Sequence, residues 1–200
     1  MIIRQLAVGT MDNFCYLIGC EKTHKALVID PGDDVARIVA AAAEEDLAID
    51  TIVNTHAHGD HTAGNAALKA QTGARIIIHA LDTEGYPRAD VRLSDEDKIQ
   101  VGEITFKVIH TPGHTPGGIC LYADGNLFTG DTLFVGDSGR TDLPGGDRPT
   151  LGASIRRLME LPEDTVVWPG HDYGPTPSST LRWEKRHNVN AREYGYYVED

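Results

Sequence analysis

Positive charge is scarce in this sequence. Lys and Arg total 18 against 30 Asp and Glu, a formal net charge of −12. Phosphate backbones and anionic membrane surfaces would be repelled, so nucleic acid and membrane are not expected partners. No apolar run approaches the roughly 18 residues of a membrane span. The N-terminal stretch Met1-Ile2-Ile3-Arg4-Gln5 lacks the long apolar region and cleavage pattern of an export signal. Cysteine is sparse, with three residues, Cys15, Cys20 and Cys120. An odd number without a CxxC pair excludes a disulfide framework and a thiolate metal knuckle. Buried, inert thiols in a reducing compartment are expected, hence a soluble cytoplasmic protein. There is no Gly-x-Ser-x-Gly elbow, so no serine nucleophile of that type. Gly145-Gly146 is followed by no Lys-Ser or Lys-Thr, so it is a loop and not a phosphate cradle.

What is present is an ordinary globular composition, 40% hydrophobic and 24% charged over 200 residues. That length fits one domain. Short β-branched runs recur, each ending in a small polar loop. Ala26-Leu27-Val28-Ile29 leads into Asp30-Pro31-Gly32. Thr51-Ile52-Val53 leads into Asn54-Thr55-His56. Phe106-Lys107-Val108-Ile109 leads into the loop with Pro112-Gly113-His114. Leu127-Phe128-Thr129 leads into Gly130-Asp131, and Val166-Val167-Trp168 into Pro169-Gly170-His171. Helices are predicted over residues 33–45, capped by Asp33 or Asp34, and over 62–71, ended by Gly73. Two more are predicted over 150–161, stopped by Pro162, and over 181–193. Residues 82–97 read as a surface loop. Alternating strands and helices predict layered α/β architecture with function on the loops at strand ends.

The strongest chemical signal is Thr55-His56-Ala57-His58-Gly59-Asp60-His61. In an extended segment, residues two apart point the same way, so His56 and His58 can face one ion. Gly59 is expected to permit a turn. Asp60 and His61 then open a helix and face a second ion. A polar, solvated loop is the alternative, but so many clustered imidazoles repel one another whenever they protonate. His114, Asp131 and His171 each follow a strand and a glycine, and can complete the site. Neutral imidazole and carboxylate suit zinc, iron or manganese.

These residues, with Leu27-Val28-Ile29-Asp30-Pro31-Gly32, Gly130-Asp131-Thr132-Leu133-Phe134 and Pro169-Gly170-His171, resemble the metallo-β-lactamase superfamily, specifically its glyoxalase II-like branch of thioester hydrolases. The likeness spans nearly the whole chain. It implies a four-layer αββα sandwich over residues 1–200, without the full C-terminal helical domain of glyoxalase II. By the resemblance, His56, His58 and His114 hold a first metal; Asp60, His61 and His171 hold a second; Asp131 bridges them. Asp30 resembles the family residue that orients the ligand loop, though it also suits a helix-capping turn. Two divalent ions, zinc foremost, would activate a shared water to hydroxide for attack on a (thio)ester carbonyl, with Asp60 and Asp131 as the catalytic carboxylates.

The substrate is expected to be a small acylated thiol. Arg140 occupies the place of a basic glutathione-contacting residue, and Tyr173 that of a substrate-contacting tyrosine. Asp142, however, stands where an aromatic belongs in the family. Phe134 is a candidate for the pocket mouth. A mononuclear-iron persulfide dioxygenase is the second reading. It would bind iron through His56, His114 and Asp131, although Gly136 and Ser138 replace the expected arginine and cysteine. A metal-binding protein without turnover is the third. His24, His79, His110 and His187 fall outside the pattern, with packing or solvent as their expected roles. The stretch 182–186 reads as a solvated helix face. Tyr194-Gly195-Tyr196-Tyr197 suggests a homodimer.

Overall fold

The computed structural model describes residues 1–199. The first half of the chain forms a six-stranded sheet in sequential order: β1 (Ile2–Val8), β2 (Asn13–Gly19), β3 (Lys25–Ile29), β4 (Ala48–Val53), β5 (Arg75–His79) and β6 (Val91–Leu93). The second half forms another: β7 (Lys98–Val101), β8 (Ile104–His110), β9 (Ile119–Ala123), β10 (Asn126–Gly130), β11 (Val166–Pro169) and β12 (Ser179–Thr180), again with sequence neighbours adjacent. Helices α1 (Val35–Glu44), α2 (Gly59–Thr62) and α3 (Asn65–Thr72) belong to the first half, α4 (Arg148–Leu158) and α5 (Leu181–His187) to the second.

The period-two alternation of a strand divides the apolar residues among three cores. Phe14, Tyr16 and Ile18 of β2, Leu27 and Ile29 of β3, and Phe106 and Val108 of β8 fill the space between the sheets. The intervening Cys15, Leu17, Ala26 and Val28 face outward against Ile38 and Ala42 of α1 and Leu68 of α3. On the other flank, Ile109, Cys120, Leu127 and Val167 pack against Leu151, Ile155 and Leu158 of α4 and Leu181 of α5. The result is the expected αββα sandwich. Cys15, Cys20 and Cys120 are buried and unpaired, as expected of core thiols.

Several local expectations are corrected. Asp34 occupies the N-cap position of α1 in a left-handed conformation, but no side chain caps the helix. α3 begins at Asn65, later than expected, and ends at Gly73 as predicted. α4 starts two residues early because Asp147 accepts from Thr150 N and Pro149 fits the first turn. It ends at Leu158, short of Pro162. α5 stops at His187, where Asn188 turns extended. Residues 82–97 are no simple loop, since β6 pairs there in parallel with β5. Tyr194 and Tyr196 of the aromatic C-terminal stretch pack into this chain's own core. Among the described residues no helix is long and apolar enough to cross a membrane.

Strand direction decides where the polar loops gather. β3, β4 and β5 are mutually parallel, so their downstream ends share one edge. In the second sheet β8 and β10 both run antiparallel to β9, and β11 runs parallel to β10, so these three also end together. Stacking the sheets brings the two sets of loops to one rim.

Candidate metal centre

All seven expected residues meet at that rim. One nitrogen from each of His56, His58 and His114 lies within 4.8 Å of the others, and so do ligand atoms of Asp60, His61 and His171. Asp131 sits between the two groups. Its Oδ1 is 3.4 Å from His61 Nε2, and its Oδ2 is 3.5 Å from His114 Nε2 and 3.3 Å from His171 Nε2. Two buried polar atoms, His56 Nε2 and Asp131 Oδ1, have no hydrogen-bond partner. Orphaned acceptors cost free energy unless something fills their lone pairs, and a cation held here would do so. The donor set, imidazole with carboxylate, fits a divalent metal pair.

The backs of the rings explain their aim. His114 Nδ1 donates to Arg140 O at 2.7 Å, and His171 Nδ1 to Met11 O at 2.8 Å. His61 Nδ1 donates to Asp30 Oδ2 at 3.0 Å. A proton committed outward leaves Nε2 with its lone pair inward, the tautomer a metal needs. Asp30 is buried, and its carboxylate also accepts from Thr55 N at 2.8 Å and Thr55 Oγ1 at 2.6 Å. With its hydroxyl proton given to Asp30, Thr55 Oγ1 accepts from His56 Nδ1 at 3.1 Å. Asp30 thus orients one ring in each triad and caps no helix.

Charge divides the two triads. Burial, reinforced by the neighbouring His61, holds His56 well below its usual pKa. Burial and His114 also lower His58. Burial opposes charge on His61 too, but Asp131 and Asp30 outweigh it and raise its pKa to about 9. Asp131 is penalised by burial, yet His61 and His171 hold it ionised far below the usual carboxylate range. In the first triad His56 and His58 are therefore held neutral. The second is a proton-binding cluster when no metal competes.

Sequence reasoning missed three supporting residues. Asn13, on β2, donates to Asp60 Oδ2 at 2.9 Å. Asn54, at the end of β4, donates to His61 O at 3.0 Å and is itself held by Asn65. Asp82, assigned to a surface loop, is buried beside the site. No motif marks any of them, because each acts across a distance in sequence. Gly59 also differs from expectation. Its φ is not positive and a Cβ there would meet nothing, so the turn does not require glycine. Gly170 is the stricter case, since a Cβ would lie 2.4 Å from Asp131 Oδ1.

A cavity of about 450 Å³ opens over the centre, lined by His58, Asp60, His114, Asp131 and His171 and walled by Met11, Phe134, Asp137, Ser138, Arg140, Leu143 and Tyr173. Phe134, Arg140 and Tyr173 thus all reach its walls. The Tyr173 ring stacks on His171, with centroids 4.6 Å apart, and Phe134 meets both rings edge-on. Arg140 is bound bidentately by Asp142, each bond 2.7 Å. The remaining histidines lie apart; His79 and His110 stack on each other at 4.1 Å.

The metallo-beta-lactamase superfamily model matches residues 8–171. The hydroxyacylglutathione hydrolase of Nitrosococcus oceani is 41% identical over 179 residues, covering 86% of this chain and 67% of that protein. The chain therefore spans about two thirds of that relative's length. The crystal structure of ETHE1 from Myxococcus xanthus superposes with a TM-score of 0.91 at 36% identity, covering 99% of this chain and 88% of that one. TTHA1623 in a di-iron-bound form matches with a TM-score of 0.82 at 34% identity, covering 93% and 98%. With its fold, its site geometry and these likenesses in agreement, the chain belongs to the metallo-beta-lactamase superfamily, with hydroxyacylglutathione hydrolases among its relatives.

Proposed function

We propose that this protein is a metal-dependent hydrolase of a thioester, an acylated low-molecular-weight thiol, acting in the cytoplasm. The observation that carries the reading is Asp131, a buried carboxylate within 3.5 Å of imidazoles from both triads, with one oxygen unpartnered. His56, His58 and His114 would hold one ion, Asp60, His61 and His171 the other, and Asp131 both. Such a pair supplies a water of lowered pKa and a Lewis acid for the carbonyl. Imidazole and carboxylate favour zinc, with iron or manganese also accommodated, as the di-iron form of TTHA1623 illustrates.

The protein's own groups supply the rest. Asp60, fixed by Asn13, presents a carboxylate to the cavity floor and would orient the attacking water. Phe134 and Tyr173 offer an apolar wall beside His171. No side-chain nucleophile is required. The relationship to hydroxyacylglutathione hydrolases supports a thioester as the bond cleaved. Glutathione is the first thiol to test, and Arg140 would contact it only if Asp142 yields its guanidinium.

A second reading, the persulfide dioxygenase, is favoured by the ETHE1 likeness over 99% of this chain. Against it, Gly136 and Ser138 lack the expected arginine and cysteine. Metal analysis paired with two assays separates the readings. Hydrolysis of an acyl-glutathione with two metal equivalents is the expected result. One iron equivalent and oxygen uptake with glutathione persulfide would replace the hydrolase by the dioxygenase. Asp131→Ala should bind neither ion firmly and lose at least ~100-fold in kcat/KM; near-normal turnover in that variant would reject the shared-carboxylate reading.

A further inference from the structure

The loop carrying His56 and His58 comes from the first sheet, and the loop carrying His114 from the second. Something must hold the two loops at a fixed spacing if three imidazoles are to share one ion. Asp82 spans that gap. It ends the 3₁₀ turn Ala80–Asp82 that follows β5. Its Oδ2 accepts from Ala57 N at 3.0 Å, the residue between the two histidines. The same oxygen accepts from Thr115 Oγ1 at 2.9 Å, the residue after His114. Oδ1 accepts from Gly117 N at 2.6 Å. The side chain is buried, with 4% of its surface exposed. The packing around it is close: a Cβ on Gly117 would lie 2.5 Å from Asp82 Oδ1, and one on Gly85 would lie 2.6 Å from Ala57 Cβ.

We propose that Asp82 is the positioning residue of the first metal site, a carboxylate clamp that sets the distance between the His56–His58 pair and His114. The inference rests on the reading of a metal pair at this centre. Asp82 is the counterpart of Asp30, which orients His61 and, through Thr55, His56. Unlike Asp30, Asp82 contacts no imidazole of either triad directly. It acts on the backbone and on a neighbouring hydroxyl. All the groups it faces are donors, so a carboxylate is the side chain that satisfies them at once. An asparagine of the same shape cannot. Whichever way its amide turns, the NH2 faces the N–H of Gly117 or of Ala57, and one strand of the clamp becomes a repulsion.

The test is a metal titration that does not depend on turnover. Asp82→Asn and wild type are stripped, then titrated with zinc against a chromophoric chelator, each also in a His171→Ala background that leaves the first site to be read alone. The wild type should take up two equivalents and His171→Ala one firm equivalent. Asp82→Asn should weaken the first-site equivalent by about 10- to 100-fold, the range for orienting residues around metals. The second-site equivalent should change by less than about threefold. Thr115→Val removes one of the three donors without a new clash, and should weaken the same equivalent by a smaller factor. It serves as the deciding variant if Asp82→Asn fails to fold. Unchanged first-site affinity in folded Asp82→Asn, or in Thr115→Val where that variant decides, would overturn the clamp. Equal weakening of both equivalents with a lowered Tm of the metal-free protein would also overturn it, marking Asp82 as a general support. A wild type that binds no metal would sink the metal-centre reading itself, an outcome distinct from either.

Discussion

Each oriented imidazole at the centre is set by what lies behind it. His114 and His171 lean on backbone carbonyls, His61 on Asp30, and His56 on a threonine hydroxyl that Asp30 has already fixed. These contacts carry no charge into the cluster except through Asp30 and Asp131, and those two carboxylates make His61 a proton trap with a pKa near 9. An incoming ion must displace that proton. Below pH 9 the apparent zinc affinity should therefore rise with pH by about tenfold per unit, and it should level off above. Competition titrations across this range check it. A flat profile between about pH 7 and 8.5 would mean that His61 is already neutral in the metal-free protein. The cluster was legible from sequence because its ligands are histidines and aspartates in a dense motif. Asn13, Asn54 and Asp82 were not, because an amide or carboxylate that supports the ligands only through hydrogen bonds of the folded chain has no spacing of its own.

Among the elements, α5 does more than cover the second sheet. Its Glu184 is fully buried and accepts from Gly136 N at 3.0 Å, Asn188 Nδ2 at 2.8 Å and the Ser179 hydroxyl. Asn190, just beyond the helix, donates to Asp137 Oδ1 at 2.8 Å and to Ser138 Oγ at 3.0 Å. The C-terminal segment thus holds the 134–138 loop that walls the cavity. Burial raises the Glu184 pKa, while the donors from Ser179 and Asn188 work the other way. Glu184→Gln replaces an acceptor by a donor among these donors. It should cost about 1–3 kcal/mol in denaturant unfolding and raise KM while the metal content stays intact. Unchanged KM would show that this wall is not part of the substrate's contact surface. Leu151, at 0% exposure in α4, tests packing apart from the site. Leu151→Ala should cost about 2–5 kcal/mol, and a loss below about 1 kcal/mol would mean the helix repacks freely. Helix positions were readable from periodicity, but their ends were not. Capping at Asp147 and the early stop of α5 depend on contacts such as Glu184–Asn188 that only the folded chain provides.

For the whole molecule, three apolar cores exclude the metal centre entirely. The metal-free chain should therefore keep its fold while losing the stabilisation that tight binding adds. Two ions that bind only the native state, with free metal at about a thousandfold over Kd, add about 4 kcal/mol each. Chelation should then lower Tm by on the order of 10 °C or more without changing far-UV circular dichroism at room temperature. Collapse of the secondary structure on chelation would mean that the metals hold the two sheets together.

The sequence by itself determined the layered α/β class and the seven chemical residues, because strand alternation and ligand type are local properties of a chain. It also led to the expectation of buried, inert thiols, since an odd number without a CxxC spacing fits neither a disulfide framework nor a metal knuckle. Tertiary structure decided the rest. Strand direction and stacking bring the ends of β3, β4, β5, β8, β10 and β11 to one rim, and closure of the sheets puts Asp131 between two triads and Asp82 between two loops. Their mutual proximity, with Asp30 and His171 beside them, then holds His61 and Asp131 charged against the cost of burial. Such distances and fields arise between residues far apart in the chain, and exist only once the two halves have packed.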